Sequence, residues 1–180
     1  MSPELRASGD AGAALGRGDR QDDAGRGLGR DPAFVRLLAD SHRRLVGRPL
    51  GDPPPSVDYA GWLYEAASFC LLAHDTRPDP VFIYANEAAQ RRFGYRWDEF
   101  ITLPSRLSAE APDRDARQRL LEAVRRDGFI ADYHGLRIAK SGQRFVIEAA
   151  TVWELRDPAG TRLGQAAAFS RWRDADRDRS

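Results

Sequence analysis

Three stretches in the second half of the chain decide the fold: FIADYHGLRIA at 129–139, RFVIEAATVWEL at 144–155 and TRLGQAAAFSRW at 161–172. Within them apolar and polar residues tend to alternate, which is the period-two pattern of β-strands. The connections at 140–143 and 157–160 are rich in Gly, Ser, Asp and Pro, the residues of tight turns. Because short turns join antiparallel neighbours, the pattern predicts a three-stranded antiparallel meander over residues 129–172.

Alternate positions of the middle strand are predicted to lie on opposite faces of the sheet. The set that we expect to face the helices consists of Phe145, Ile147, Ala149, Thr151 and Trp153. Glu148 and Glu154 belong to the other set, so we expect both carboxylates to be solvated.

Upstream of the meander, the sequence predicts two further strands and several short helices. The strands are SFCLLAHD at 68–75 and VFIYA at 81–85, and Asn86 caps a short helix that ends at Gly94. The apolar face of a longer helix, which ends at Gly128, consists of Ala116, Leu120, Leu121 and Val124. This order predicts an α+β domain that has one five-stranded antiparallel sheet, short helices on one face and an additional N-terminal helix.

The chain divides into four segments by composition. Residues 1–30 contain almost no large apolar side chain, so we expect a disordered leader. Residues 31–47 form the N-terminal helix, because Asp31 and Pro32 are a capping residue and a first-turn proline, and Gly47 ends the pattern. The main domain spans residues 48–172, and residues 173–180 form a polar tail.

The N-terminal helix carries an apolar stripe that must pack on something. Its members are Phe34, Leu37, Leu38, Leu45 and Val46. A long Pro-rich connection separates this helix from the main domain, so we expect a homodimer through residues 32–46. The alternative is that the helix folds back onto its own sheet and buries the same side chains within one chain.

Charge and composition restrict the function classes. The 28 basic and 27 acidic residues leave a net charge of +1, whereas nucleic-acid-binding domains usually carry a net basic field. No run of 18 apolar residues exists, and the N-terminus lacks the apolar stretch of a secretory signal. We therefore expect no nucleic-acid partner, no membrane association and a cytoplasmic location.

Several blocks resemble a known family. FIYANEAAQRRFGYRWDEF at 82–100 resembles the PAS fold, and further blocks make the likeness more specific. They are HDTRPDPVFIYAN at 74–86, LPSRLSAEAP at 103–112, DGFIADYHGLRIAKSGQRF at 127–145, ATVW at 150–153 and GQAAAFSRW at 164–172. In this order they resemble the MEKHLA domain, a PAS-like module, in its stand-alone bacterial form. The resemblance implies a sensory or interaction module and brings no established reaction or ligand.

PAS domains commonly hold a ligand between the helices and the sheet, so the resemblance also suggests pocket residues. Polar and aromatic candidates within or beside its blocks are Tyr84, Asn86, Phe93, Trp97, Arg106, Tyr133, Arg137, Trp153 and Gln165. Each of them has an ordinary core role as its alternative. We expect Arg106 to be largely buried and bonded to a carboxylate or to backbone carbonyls, because a buried guanidinium needs a partner.

The sequence gives little support for the ligand chemistries that are known from PAS pockets. A covalent flavin site of the light-oxygen-voltage kind needs a cysteine after the aromatic–Gly pair, where this chain has LPSRLSAE. The lone Cys70 lies within a predicted strand and is expected to be a buried apolar residue. No histidine lies within 113–128 to ligate haem, and no metal-ligand spacing or nucleophile elbow is present. We predict no metal site and no catalytic residue, and no cofactor is identified.

Three functions stay open at this point. The first is a cytoplasmic sensory or protein-interaction module that binds a small ligand and signals through association. The second is a ligand-free dimerisation adapter. The third is a small enzyme built around His74, Asp75 and His134, which requires these side chains to converge on one cleft.

Overall fold

A computed structural model describes residues 28–175, and for residues 111–113 it describes the backbone only. The helices are α1 (Pro32–Val46), α2 (Tyr59–Gly61), α3 (Glu87–Phe93), α4 (Trp97–Phe100) and α5 (Ala111–Asp127). A π-helical turn (Trp62–Ala66) follows α2, and a 3-10 turn (Ser105–Ser108) precedes α5. The strands are β1 (Cys70–His74), β2 (Phe82–Ala85), β3 (Phe129–Ile138), β4 (Arg144–Arg156), β5 (Arg162–Phe169) and β6 (Arg171–Asp174).

All strands belong to one antiparallel sheet with the order β2-β1-β5-β4-β3. β5 and β6 are two halves of one predicted strand that breaks at Ser170, so β5 pairs with the second half of β4 and β6 with the first half. The predicted α+β fold and the meander over residues 129–172 are therefore confirmed.

Helices cover both faces of this sheet rather than one. Helices α3 to α5 lie on the face that we call the inner face, and α1, α2 and the π-helical turn lie on the outer face. Along the part of the chain that the structure describes, no helix combines the length and hydrophobicity that a membrane span requires.

Helix α1 begins and ends where the sequence predicts. The Asp31 carboxylate accepts a hydrogen bond from the Ala33 backbone N–H, and Gly47 adopts a left-handed conformation with φ of 80°. Val35 and Leu38 are buried against the outer face, and the rest of the apolar stripe packs around them. The stripe is thus used within one chain, as in the alternative stated above. A homodimer through residues 32–46 stays a prediction, but of this stripe it could bury only the parts of Phe34, Leu37, Leu45 and Val46 that the packing within one chain leaves exposed.

Two bulges change which side chains face inward. Ala149 in β4 and Asp132 in β3 adopt positive φ angles of 51° and 57°, and each inserts one extra residue into its strand. After Ala149 the alternation of β4 reverses, so Trp153 faces α1 on the outer face. Glu154 moves to the inner face, where it is fully buried. The predictions that Trp153 shares a face with Phe145 and that Glu154 is solvated are therefore wrong.

The ends of the described chain are more ordered than the sequence suggests. Leu28–Arg30 form a 3-10 turn, although we expect a disordered leader through residue 30. Residues 173 and 174 belong to β6 rather than to a polar tail. The rest of the predicted leader and tail, residues 1–27 and 176–180, lies outside the described residues.

Candidate ligand cavity

A cavity of about 50 Å³ lies between the inner face of the sheet and helix α5. Most of its wall is apolar, and Leu72, Phe82, Phe93, Leu120, Ile147 and Phe169 contribute to it. The polar residues in the wall are His74, Ser108, Arg117, Tyr133, Arg137 and Gln165. The five strands β1 to β5 and the helices α3 and α5 all supply part of this wall, so the fold itself encloses the space.

Two arginines make one end of the cavity cationic. Arg117 on α5 and Arg137 on β3 are only 7% and 8% exposed. Arg117 donates from Nη2 to the Ser105 hydroxyl at 2.7 Å, and Arg137 donates to the Leu136 carbonyl at 2.7 Å and to the Tyr133 hydroxyl at 3.4 Å. Among the side chains described at 28–110 and 114–175, no carboxylate forms an ion pair with either guanidinium.

Burial of these charges has an electrostatic cost. Desolvation, together with the nearby charge of Arg137, lowers the pKa of Arg117 from 12.5 to about 10. The side chain still carries its charge at neutral pH. A buried cation without a counter-ion is unfavourable, and this part of the cavity therefore favours an anion.

His74 lies in the wall as a neutral imidazole. Burial lowers its pKa from 6.5 to about 4. Its Nδ1 is 2.8 Å from the Asp75 carbonyl oxygen, and because a carbonyl only accepts, Nδ1 carries the proton and donates. Nε2 is then a hydrogen-bond acceptor, and this atom is buried without a partner among the described residues.

Gln165 supplies a second unpartnered acceptor beside it. Its Nε2 donates to the Leu121 carbonyl at 2.9 Å and to the Glu154 carboxylate at 2.6 Å, which fixes the orientation of the amide. Its Oε1 is buried and has no partner among the described residues. Gln165 and His74 are directly paired across β5 and β1, so the two acceptors belong to neighbouring positions.

Gly164 and Glu154 hold this pair in place. β5 passes so close to the His74 carbonyl at Gly164 that any Cβ there would clash with it. The Glu154 carboxylate, fully buried, accepts from Gln165 and from Arg162 Nε at 2.8 Å. Its charge is therefore satisfied away from Arg117 and Arg137.

Four of the nine predicted site residues line the cavity: Phe93, Tyr133, Arg137 and Gln165. The other five lie elsewhere. Tyr84, Trp97 and Trp153 all belong to or pack on the outer-face core; for Trp153 the cause is the Ala149 bulge. That these three line an inner pocket is a wrong prediction.

Asn86 is a structural residue. It is fully buried, and its Oδ1 accepts from the backbone N–H groups of Leu71 and Ala89 at 3.0 and 3.1 Å. Its Nδ2 donates to the Leu63 and Phe69 carbonyls at 3.2 and 2.8 Å. All of its hydrogen-bonding capacity is used in joining β1 to the start of α3, so none is left for a ligand.

Arg106 is a surface residue, contrary to the prediction. Its side chain is 46% exposed, and Nε is 3.0 Å from Asp79 Oδ1, a carboxylate that is 51% exposed. The 3-10 turn directs this side chain outward, whereas Ser105 and Ser108 of the same turn are buried. The buried guanidinium of this region belongs to Arg117.

Arg117 is the residue that sequence reasoning missed, although its spacing carries a signal. It is the first member of an i, i+3, i+4, i+7 series with Leu120, Leu121 and Val124, which is the buried face of a helix. The predicted apolar face begins instead at Ala116, which is exposed. The signal in the sequence is therefore a charged residue that shares one helical face with the apolar residues that follow it.

The residues of the enzyme alternative do not converge. His74 is buried on β1, whereas the His134 side chain on β3 is 53% exposed. Its Nε2 atom lies 3.3 Å from Asp132 Oδ1. Strands β5 and β4 separate β1 from β3, which places them roughly 14 Å apart at the usual strand spacing. Asp75 instead accepts from the Arg77 and Val81 backbone N–H groups.

Metal and thiol chemistry find no site in the described chain. Within residues 28–175, the side chains of 111–113 excepted, no three His, Cys, Asp or Glu residues are grouped to hold a metal ion. Burial raises the pKa of Cys70 to about 12, so its thiol is protonated at neutral pH, and it lies outside the cavity wall.

Comparison with solved structures identifies the fold. A PAS domain from Colwellia psychrerythraea is 15% identical and superposes with a TM-score of 0.53 over 63% of this chain and 92% of its own. A fungal light-oxygen-voltage photoreceptor is 19% identical, with a TM-score of 0.52 over 86% and 99% of the two chains. At these identities the likeness concerns the fold alone.

A third similar structure is a light-oxygen-voltage domain from a study of a flavin analogue, 19% identical with a TM-score of 0.50 over 60% of this chain and 79% of its own. The cavity between the inner face and α5 is too small for a flavin. Pockets for ligands of drug size measure roughly 300–1,000 Å³, whereas this cavity measures about 50 Å³.

Comparison with sequences identifies the family. No curated protein sequence matches the chain significantly. The family model of the MEKHLA domain matches residues 32–174, which includes α1, the whole sheet and every residue of the cavity wall. This chain belongs to the MEKHLA domain family.

Proposed function

We propose that this chain is a cytoplasmic sensory module, not an enzyme, that binds a small ligand in the cavity and signals through association with a partner. The observation that carries the proposal is the pair of unpartnered acceptors, His74 Nε2 and Gln165 Oε1, side by side in one cavity. Buried polar atoms are nearly always hydrogen-bonded, and each one left without a partner costs about 1–3 kcal/mol. A ligand that supplies the missing donor recovers that cost.

The sheet offers a route from the cavity to the surface helix α1. Neighbouring residues of β4 face opposite ways, so Val152 lines the cavity while Trp153 contacts α1. The Trp153 ring lies against His42 of α1 with ring centroids 4.8 Å apart. Ser41 of α1 donates to the Arg156 carbonyl at 2.8 Å at the end of the same strand. A ligand that shifts β4 changes the packing of α1 and so shifts the population of its arrangements.

Association is the output in this proposal. A homodimer that involves residues 32–46 uses mainly the solvent side of α1, since the apolar stripe already packs on the sheet of its own chain, with Leu38 fully buried and the other members partly buried. Sedimentation of the full chain at tens of micromolar, with and without ligand, tests this step. A monomer under both conditions contradicts the homodimer and leaves a different protein as the partner.

A fragment titration tests ligand binding itself. The ¹⁵N-labelled full chain is titrated with small neutral, anionic and cationic compounds, and native mass spectrometry of the purified protein looks for a retained ligand. We expect at least one compound to shift the amide resonances of the cavity strands. Ala167 lines the cavity and Ala159 is exposed in a turn, so Ala167→Leu should abolish these shifts and Ala159→Leu should not.

The result that overturns the proposal is equally specific. If no compound shifts the cavity resonances of the wild type and no ligand is retained, the chain is a ligand-free adapter. Circular dichroism of Ala167→Leu verifies that the variant is folded, because overpacking costs about 1–3 kcal/mol.

A further inference from the structure

The cavity presents hydrogen-bond donors at one side. Two guanidinium groups carry ten N–H donors between them, and only three hydrogen bonds of Arg117 and Arg137 are formed within the described residues. Both groups are buried, and the carboxylate on the same face, Glu154, is bonded to Arg162 and Gln165. The complement of this side is an anion with at least two acceptor oxygens, which a carboxylate supplies in a bidentate geometry.

The same cavity presents acceptors at another side. His74 Nε2 and Gln165 Oε1 have lone pairs and no hydrogen to donate, because the proton of His74 is on Nδ1 and the amide nitrogen of Gln165 is used elsewhere. A simple carboxylate has no donor for them. The complement of this side is a hydroxyl group.

The volume limits the size of the ligand. One water molecule needs roughly 10–15 Å³ of such space, so a cavity of about 50 Å³ holds a ligand of three to five non-hydrogen atoms. The apolar part of the wall, Leu72, Phe82 and Ile147 among it, contacts the carbon that joins the two polar groups.

We infer that the ligand is a small 2-hydroxycarboxylate of the size of glycolate, with its carboxylate on Arg117 and Arg137 and its hydroxyl donating to one of the adjacent acceptors of His74 and Gln165. This inference rests on the proposed function and adds to it the charge and the hydrogen-bonding pattern of the ligand. Binding neutralises a buried cationic pair and satisfies a buried acceptor in one step.

Calorimetric titration of the full chain at constant ionic strength tests the inference with matched probes. Glycolamide has the shape of glycolate without its charge, acetate lacks the hydroxyl, and bicarbonate carries a charge and a hydroxyl without the joining carbon. Hydrogen bonds to charged groups correspond to at least about a tenfold difference in affinity, so glycolate should bind at least about tenfold more tightly than glycolamide and more tightly than acetate.

Two variants and one control assign the contacts. Arg137→Gln and Arg117→Gln should each weaken glycolate binding at least about tenfold and weaken glycolamide binding less, because the amide oxygen of glycolamide forms only neutral-acceptor hydrogen bonds. Arg106→Gln, at a surface arginine outside the cavity, should leave glycolate affinity unchanged. Because Arg117 also bonds to Ser105, Arg137→Gln decides the question if Arg117→Gln does not fold.

The outcomes separate this inference from the proposed function. If a neutral compound binds in the cavity and glycolate does not, the inference is overturned and the ligand-binding function stands. If bicarbonate binds and glycolate does not, the size assignment is overturned. If Arg106→Gln weakens glycolate as much as Arg137→Gln does, the anion binds at the surface and the inference is overturned.

Discussion

The two faces of the sheet differ in what they bury. The outer face packs on α1 mainly through apolar side chains, and Leu38, Leu63 and Trp153 in it are fully buried. The buried charged side chains of the described chain, Arg117, Arg137 and Glu154, all belong to the inner face. One sheet thus separates a core without buried charges from a cavity that holds buried charges at a cost in stability. Such a cost is typical of a site that function requires.

The largest effect is expected on the outer face. Leu38→Ala removes a fully buried side chain of α1 and should lower the free energy of unfolding by about 2–5 kcal/mol. Urea denaturation followed by tryptophan fluorescence measures it. Leu163→Ala is the matched control, since Leu163 is 38% exposed. A loss for Leu38→Ala no larger than that of the control contradicts the packing of α1 on its own sheet.

The next effect concerns the inner face and has a pH dependence. The pKa of His74 is about 4 in the folded protein because of burial, against 6.5 when unfolded. Between these values the unfolded chain binds a proton that the folded chain does not. The contribution of the neutral His74 to the free energy of unfolding is therefore fully present above about pH 7, and it falls by roughly 3 kcal/mol as the pH drops to 4. Urea denaturation at pH 7, 5 and 4 measures this loss.

The contribution of His74 to this loss of stability is obtained by comparing wild type with a variant. Burial also lowers the pKa of His42 on the outer face, which acts in the same direction, so wild type is compared with His74→Gln at each pH. The pH dependence should be weaker in His74→Gln than in wild type. Equal slopes for wild type and His74→Gln contradict a buried neutral imidazole.

A third prediction has the opposite sign. Arg117→Met removes a buried charge, and the lowered pKa of this group corresponds to roughly 3 kcal/mol of unfavourable burial. Loss of the hydrogen bond to Ser105 offsets about 1 kcal/mol of this. The variant without ligand should therefore be about 2 kcal/mol more stable than wild type in urea denaturation. Destabilisation on the scale of Leu38→Ala shows instead that Arg117 belongs to a satisfied core.

Local signals predict much of the fold because they act at short range. Asp31, Pro32 and Gly47 fix both ends of α1 through backbone geometry and capping, and the turns fix the order of the meander. The bulge at Ala149 has no such signal. Glycine is the usual residue at a positive φ angle, so an alanine at this position gives no signal in the sequence. The positive φ of Ala149 is set by the pairing of β4 with its neighbouring strands. That single residue determines where Trp153 and Glu154 lie.

The candidate cavity is less predictable than the fold for a related reason. Phe93, Tyr133, Arg137 and Gln165 line it as expected, and whether they bind a ligand stays a prediction. The sequence does not predict that His74 lacks a hydrogen-bond partner, because this is visible only once β5 lies beside it. A sequence gives the types of polar residue but not which of their hydrogen bonds remain unformed.

The smallest effect is expected at Arg106, which lies at the surface although the sequence predicts a buried guanidinium. Its ion pair with Asp79 is between side chains that are 46% and 51% exposed, and exposed pairs contribute below ~1 kcal/mol because water and salt screen them. A double-mutant cycle of Arg106→Ala and Asp79→Ala, measured by urea denaturation at low and high salt, should give a coupling free energy of this size that declines with salt. A coupling several times larger and independent of salt places the pair in a desolvated site. In that case the cationic groups of this region extend from the cavity to Arg106, and the contrast between a charged interior at Arg117 and a solvated surface at Arg106 is lost.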